Sequence, residues 1–168
     1  MIHQNNVQTL VKLQKMIKKG TVPIFDIDGV LLDATHRQVN NPDGSLNLSA
    51  YLENNTPDNI KKDTALPMTM LAAWCTYKRI KYAVATARVF CKDTETHLRG
   101  LGVRPDIVIS RRDNGDRRPD HVLKHDGLLA HFTESERKRL LLIDDNFDNC
   151  KAAIQTGARA MLIAFDGH

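Results

Sequence analysis

Thr21-Val22-Pro23-Ile24-Phe25-Asp26-Ile27-Asp28-Gly29 is the stretch that decides the fold. Its apolar half predicts a strand, Val22 to Asp26, buried in a sheet. The strand runs into two carboxylates one residue apart and then a glycine. Packing alone gives no reason for that ending, because a buried, unpaired carboxylate costs several kcal/mol. A divalent cation does: hard cations such as Mg²⁺ take oxygen ligands, often one or two carboxylates together with substrate phosphate. A carboxylate is also a nucleophile able to form an acyl phosphate. Gly29 lets the backbone turn where a side chain would obstruct such a site.

Outward from this stretch, helix and strand patterns alternate. Val7 to Lys19 places Val7, Leu10, Val11 and Ile17 at helical spacing, with Gly20 as a stop, and predicts a packing helix. Asn40-Asn41-Pro42-Asp43-Gly44 is turn chemistry, and Leu48 to Glu53 suits a short helix. Pro67 opens a helix to Tyr77 with Met70, Leu71 and Trp74 inward. Strands are predicted at Ile80–Ala85, Asp106–Ser110, Leu140–Ile143 and Ala160–Phe165. Helices are predicted at Asp93–Leu101, Pro119–His131 and Asn146–Gln155. This order predicts an α/β fold with a mostly parallel sheet and helices on both faces. Ligands bind such sheets beyond the carboxyl ends of their strands. Asp26/Asp28, Thr86/Arg88 and Asp144/Asp145 all fall at such ends, so three distant segments converge on one rim.

The 168 residues fit one domain, here read as 1–168 with an N-terminal packing helix and a catalytic core from residue 21. With 42% hydrophobic and 26% charged residues, the composition is that of an ordinary water-soluble protein. No apolar run approaches the roughly 18 residues needed to cross a bilayer. The polar start Met1-Ile2-His3-Gln4-Asn5-Asn6 lacks a signal-peptide core, so a cytoplasmic location is expected. Cys75, Cys91 and Cys150 are far apart and read as thiols rather than a zinc site or disulfides. The net charge of +4 leans towards anionic partners, nucleic acid among them. His36 reads as structural, and His121, His125 and His131 show no metal-ligand spacing.

At this point the chain resembles the haloacid-dehalogenase (HAD) superfamily of phosphatases, over about Thr21 to Phe165. Asp26-Ile27-Asp28-Gly29 is similar to the first motif of that superfamily, Thr86 after an apolar strand to the second, Lys124 to the third and Asp144-Asp145 to the fourth. A narrower resemblance is to phage HAD phosphatases and the 3′-phosphatase domain of phage polynucleotide kinase. It is carried by Asp33-Ala34-Thr35-His36-Arg37, Thr86-Ala87-Arg88, Arg112, Gly115-Asp116, Arg118, Asp120 and Lys124. Val30 and Ala87 depart from that pattern, where threonine and glycine are usual. No GxxxxGK[ST] loop occurs, so ATP-dependent phosphorylation is not expected.

The resemblance implies a Rossmann-like HAD fold and a set of roles. Asp26 would attack phosphorus, and Asp28 would protonate the leaving oxygen and then activate water. Mg²⁺ would be held by Asp26, the Asp28 backbone carbonyl and a fourth-motif acid. Asp145 is favoured as direct ligand, with Asp144 acting through water or bonded to Lys124. Thr86 and Lys124 would bind phosphate oxygens. Arg37, Arg88, Arg112 and Arg118 are candidates for substrate contacts, and Asp120, one turn before Lys124, would orient that lysine or an arginine. Plainer readings stand beside these: Asp144-Asp145 also suits a helix N-cap, and the charges of 111–118 also suit a solvated loop.

The segment between Asp28 and Thr86 has room only for a short excursion, roughly Ala34 to Asp63, so no large cap domain is expected. An open site favours bulky substrates. Three readings follow: an Mg²⁺-dependent phosphatase on 3′-phosphate ends of nucleic acid, a nucleotidase on free (deoxy)nucleoside monophosphates, or a non-catalytic nucleic-acid-binding relative. The first is preferred, with a role at cleaved ends in a phage-infected host cytoplasm implied by the resemblance. For the second, assembly of copies into a homo-oligomer is one way to close the site. Intact Asp26, Asp28, Lys124 and Asp145 argue against the third.

Overall fold

A computed structural model describes residues 2–3 and 7–164 of the chain. The elements in order are β1 (Ile2–His3), α1 (Val7–Lys18), β2 (Val22–Phe25), β3 (Leu32–Asp33), a 3-10 turn (Thr35–Arg37), α2 (Leu48–Glu53) and α3 (Pro57–Ile60). There follow β4 (Thr64–Ala65), α4 (Pro67–Lys78), β5 (Ala83–Val89), α5 (Lys92–Gly100), β6 (Ile107–Arg111) and α6 (Asp120–His131). The chain then forms α7 (Glu134–Arg137), β7 (Leu140–Asp144), α8 (Phe147–Gln155) and β8 (Arg159–Ala164). Among the described residues the main sheet has six strands in the order β1-β8-β7-β2-β5-β6, all paired in parallel. From β2 the chain builds outward through β5 and β6, then returns to lay β7 and β8 on the other side. The strand order therefore reverses at β2, the position where α/β sheets open a crevice for ligands.

β2 shows why the sheet forms here. Its residues alternate between two cores: Phe25 packs in one with Leu13, Met68, Leu71 and Val84, and Ile24 in the other with Leu123, Leu128, Leu142 and Ala153. Pro23 has no N–H for the ladder. It lies before the stretch paired with β5, which begins at Ile24. The α/β architecture, the parallel sheet and the absence of a large cap match the sequence expectation.

Several local expectations need correction. In α1 the buried side chains are Thr9, Leu13 and Ile17, whereas Val7 and Val11 are exposed. In α4, Met68, Leu71, Ala72 and Cys75 face inward and Met70 faces solvent. The strand expected at Ile80–Ala85 instead runs from Ala83 to Val89. Residues 79–80 are consumed in ending α4: Arg79 takes a left-handed conformation (φ 55°) and the Ile80 N–H closes onto the Cys75 carbonyl. Thr86 and Arg88 therefore lie within β5, where its pairing with β6 shifts register between Ala85 and Val89. Phe165, the expected end of the last strand, lies outside the described residues. Cys75 and Cys150 are buried free thiols, both pushed up to about 12 by burial. No helix among the described residues is long and apolar enough to cross a membrane.

The excursion between Asp28 and Thr86 falls where expected. β3 and β4 pair antiparallel, Leu32 with Ala65 and Asp33 with Thr64, and pinch off residues 34–63. That insertion holds the 3-10 turn, α2 and α3.

Candidate active site

Asp26 follows β2 directly, and its Oδ1 accepts from the next N–H, that of Ile27, at 2.8 Å. The chain then coils tightly, with both Leu31 and Leu32 donating to the Ile27 carbonyl. Gly29 sits in this coil at φ +74°. A Cβ there would stand 2.0 Å from Asp145 Oδ2, so only glycine lets the Asp145 carboxylate approach. β7 delivers Asp144, which is fully buried. Its Oδ1 accepts from the Asn146 N–H (2.9 Å) and Asn149 Nδ2 (3.0 Å).

Lys124 rises from α6 into this acidic group and is fully buried. Its Nζ lies 2.7 Å from Asp144 Oδ2, 3.0 Å from Asp120 Oδ2 and 3.1 Å from Asp26 Oδ1. Asn149 Nδ2 also donates to Asp120 Oδ2 at 2.6 Å. Burial works against the ammonium, yet Asp120, Asp144 and Asp26 together hold it well above the usual lysine range. Burial pushes Asp26 well above the usual carboxylate range despite Lys124, and Asp144, Asp120 and Asp145 push the same way. Asp145 is exposed as a residue, but its carboxylate is set into protein; that desolvation, with Asp144 beside it, raises it to about 7.

These acids suit a hard divalent cation. Carboxylate oxygens of Asp26, Asp144 and Asp145 lie within 4.8 Å of one another, an oxygen donor set of the kind Mg²⁺ takes. Binding a dication would relieve the carboxylate–carboxylate repulsion that adds to burial in raising Asp26 and Asp145.

Asp28 has a different set of partners. Arg88 Nε and Nη2 grip its carboxylate at 3.0 and 2.6 Å, and the Tyr51 hydroxyl donates to it at 2.5 Å. Arg37 Nη2 stands 4.0 Å away. Burial alone would raise Asp28, but Arg88, the Tyr51 hydroxyl and Arg37 hold it below its ordinary value. Its carboxylate is taken up by Arg88 and Tyr51 and is not one of the three acids that gather for a cation, which leaves its backbone carbonyl as the group it would offer there. Thr86 is fully buried, its Oγ1 accepting from the Arg88 N–H at 3.1 Å.

The fold thus gathers Asp26, Asp28, Thr86, Arg37, Arg88, Asp120, Lys124, Asp144 and Asp145. It does not bring in Arg112 or Arg118. Arg118 pairs with Asp116 (2.7 Å) and Asp126 (3.3 Å), and exposed Arg112 shares with it a groove between β6 and α6. Asp116 in the loop and Asp126 on α6 draw Arg118 aside. Arg37 and Arg88 are buried and bound to carboxylates, not held out as free phosphate forks.

Three contributors escaped the sequence reading. Tyr51 and Asp63 come from the insertion, where nothing in their spacing points at β2. Asn149 does carry a signal, lying one helical turn beyond Asp145. Tyr51 also shows how the short insertion meets the site: α2 lays a side chain directly on Asp28.

Fold and site together define a HAD-type phosphatase, a phosphoric monoester hydrolase by class. Residues 12–146 match the family model described as bacteriophage T5 5′-deoxynucleotidase, and the chain belongs to that family. Among solved structures, a haloacid dehalogenase-like hydrolase from Streptococcus pneumoniae is similar at TM-score 0.63 and 14% identity, over 88% of this chain and 86% of that one. A HAD-superfamily hydrolase from Geobacter sulfurreducens gives 0.60 and 14%, over 84% and 86% of the two chains. A chain of the Pnkp1/Rnl/Hen1 complex gives 0.62 and 19% over 88% of this chain. This chain spans only 47% of that one. No curated protein matches the sequence.

Proposed function

We propose that this protein is an Mg²⁺-dependent phosphatase that hydrolyses deoxynucleoside 5′-monophosphates through an aspartyl-phosphate on Asp26. The observation that carries this reading is the buried Lys124 ammonium linking Asp26, Asp120 and Asp144 beside Asp145, at the carboxyl ends of β2 and β7. Membership in a family described as a 5′-deoxynucleotidase favours the mononucleotide. So does the insertion resting on Asp28 through Tyr51, because protein laid against the general acid gives a small substrate walls that a polymer end does not need.

In the first half-reaction an Asp26 oxygen attacks phosphorus and the P–O5′ bond breaks. The proton on Asp28 passes to the leaving oxygen. In the second, water attacks the aspartyl-phosphate, gives its proton to Asp28 and releases inorganic phosphate with Asp26 restored. Mg²⁺ held by Asp26, Asp145 and the Asp28 carbonyl, with Asp144 behind them, would supply charge shielding between carboxylate and phosphate dianion. Lys124 keeps the acidic group from repelling the substrate. Arg88 Nη1 is buried without a hydrogen-bond partner among the described residues; it is the donor left for a phosphate oxygen. Asp28 is held ionised without substrate, and an arriving dianion favours its protonation, as the first half-reaction requires.

The test is phosphate release, with Mg²⁺ and with EDTA, from 5′- and 3′-deoxynucleoside monophosphates and from 5′- and 3′-phosphorylated oligonucleotides. The 5′-mononucleotide is expected to be the best substrate, and Asp26→Asn to be folded and inactive. Preference for the 3′-phosphorylated oligonucleotide would replace this substrate with a nucleic-acid end. Absence of metal-dependent turnover on every substrate would sink the phosphatase reading.

A further inference from the structure

Asp63 belongs to no strand that carries the chemistry, yet its side chain is fully buried among charges. It ends the insertion just before β4. Its carboxylate takes Arg37 in a two-pronged grip, Nε to Oδ1 at 3.0 Å and Nη2 to Oδ2 at 3.2 Å. Its Oδ2 also lies 2.7 Å from Arg88 Nη2, the same nitrogen that lies 2.6 Å from Asp28 Oδ1. One guanidinium nitrogen thus joins Asp63 to Asp28.

Holding the insertion down does not require this carboxylate. The backbone carbonyl of Asp63 accepts from His97 Nε2 at 3.0 Å, Asn55 Nδ2 donates to the Val89 carbonyl at 3.2 Å, and the Leu66 N–H donates to the Leu31 carbonyl at 2.9 Å. Well-packed apolar side chains would close the same space as stably as a buried ion-pair group. What the carboxylate adds is direction. Arg88 Nη1 has no partner among the described residues, so Asp28 and Asp63 together set the plane of its guanidinium. That plane in turn sets the line along which Nε and Nη2 hold the Asp28 carboxylate.

We infer that Asp63 is a positioning residue for phosphoryl transfer: it fixes Arg88, and through Arg88 aims the Asp28 carboxyl group at the leaving oxygen. This rests on the aspartyl-phosphate reading above. A mis-aimed Asp28 impairs proton delivery to the leaving group. Departure of an alkoxide therefore suffers, whereas departure of a thiolate, which needs no proton, does not.

The experiment compares kcat/KM for thymidine 5′-monophosphate with that for its analogue in which sulfur replaces the bridging 5′-oxygen. This constant reports formation of the aspartyl-phosphate and not its hydrolysis. Asp63→Asn is expected to lower it by roughly 10–100-fold on the oxygen ester, a part of the usual general-acid contribution, and by less than about threefold on the sulfur ester. Asp63→Glu keeps the charge and moves it by one methylene; it should show the same selectivity with a smaller loss, and it serves if the asparagine variant does not fold. An equal loss on both esters, or no loss on the oxygen ester, overturns the assignment. Wild-type turnover of the oxygen ester reports separately on the nucleotidase reading. If it fails, the same ratio is read on the 3′-phosphate and its 3′-sulfur analogue.

Discussion

Replacing Lys124 by methionine keeps the length of the side chain and removes its charge. The ammonium is fully buried and within 3.1 Å of three carboxylates. With Asp145 beside them, the formal charge of the group falls from −3 to −4, counting four carboxylates with and without one ammonium. Breaking a buried ion pair by removing one partner costs about 3–5 kcal/mol. For a domain of this size that lowers Tm by roughly 6–20 °C. The carboxylates respond by holding protons more tightly in the folded state than in the unfolded one. Stability of the variant therefore falls further as pH rises, and the deficit is larger at about pH 8 than at about pH 5.5. Mg²⁺ bound to the acids would restore part of the lost positive charge, so saturating Mg²⁺ is expected to narrow the gap to wild type. Thermal melts followed by circular dichroism, at both pH values and with Mg²⁺ or EDTA, check each arm. A loss under about 2 °C, insensitive to pH and to Mg²⁺, would refute the claim that Lys124 balances the acidic group.

Other outcomes follow from the same geometry. Gly29→Ala forces a side chain into a left-handed position at a cost of roughly 1–2 kcal/mol. It also drives its Cβ against Asp145, so the Mg²⁺ concentration for half-maximal activity should rise roughly tenfold or more; a metal titration of activity reads this. Asp145, raised to about 7, favours the protonated folded state. Its contribution to stability thus falls as pH rises from about 4 to about 7. A metal that needs this carboxylate ionised should raise Tm more at about pH 8 than at about pH 6, with proton release at the lower pH seen by calorimetry in two buffers. Gly127→Ala would bring a Cβ within 2.3 Å of Ile109 Cγ2. Such overpacking costs roughly 1–3 kcal/mol, seen as a Tm lower by roughly 2–12 °C.

The parts of this molecule legible in the sequence are those set by local pattern. Apolar runs ending in acids marked β2 and β7, because burial and metal-suited chemistry collide there within one strand's length. Lys124 and Asp120 are one helical turn apart, so their pairing was visible as spacing. Tyr51 and Asp63 were not. Each is an ordinary residue in a polar stretch, and each gains its role only when β3 and β4 fold residues 34–63 back over β2. The arginines of 111–118 misled for the opposite reason: their density suggested an anion, but Asp116 and Asp126 compete for Arg118 within its own neighbourhood. The inward face of α4 was misread because Met70 and Leu71 are adjacent and equally apolar, so composition could not say which one turns to the core.

The β3–β4 ladder has a consequence for how this scaffold changes. Leu32 and Ala65 lie side by side, so everything between them leaves and re-enters the core at one doorway. Such a segment is a cassette, and exchanging it leaves the parallel sheet and the acids of β2 and β7 in place. The exchange is constrained, since a replacement without Asp63 deprives the core's Arg88 of one of its carboxylate partners, one without Arg37 leaves Asp63 without its two-pronged partner, and one without Tyr51 removes a donor from Asp28. Grafting a longer cassette that keeps these three residues is therefore the route by which the substrate range would be rewritten while the acids of β2 and β7 stay in place.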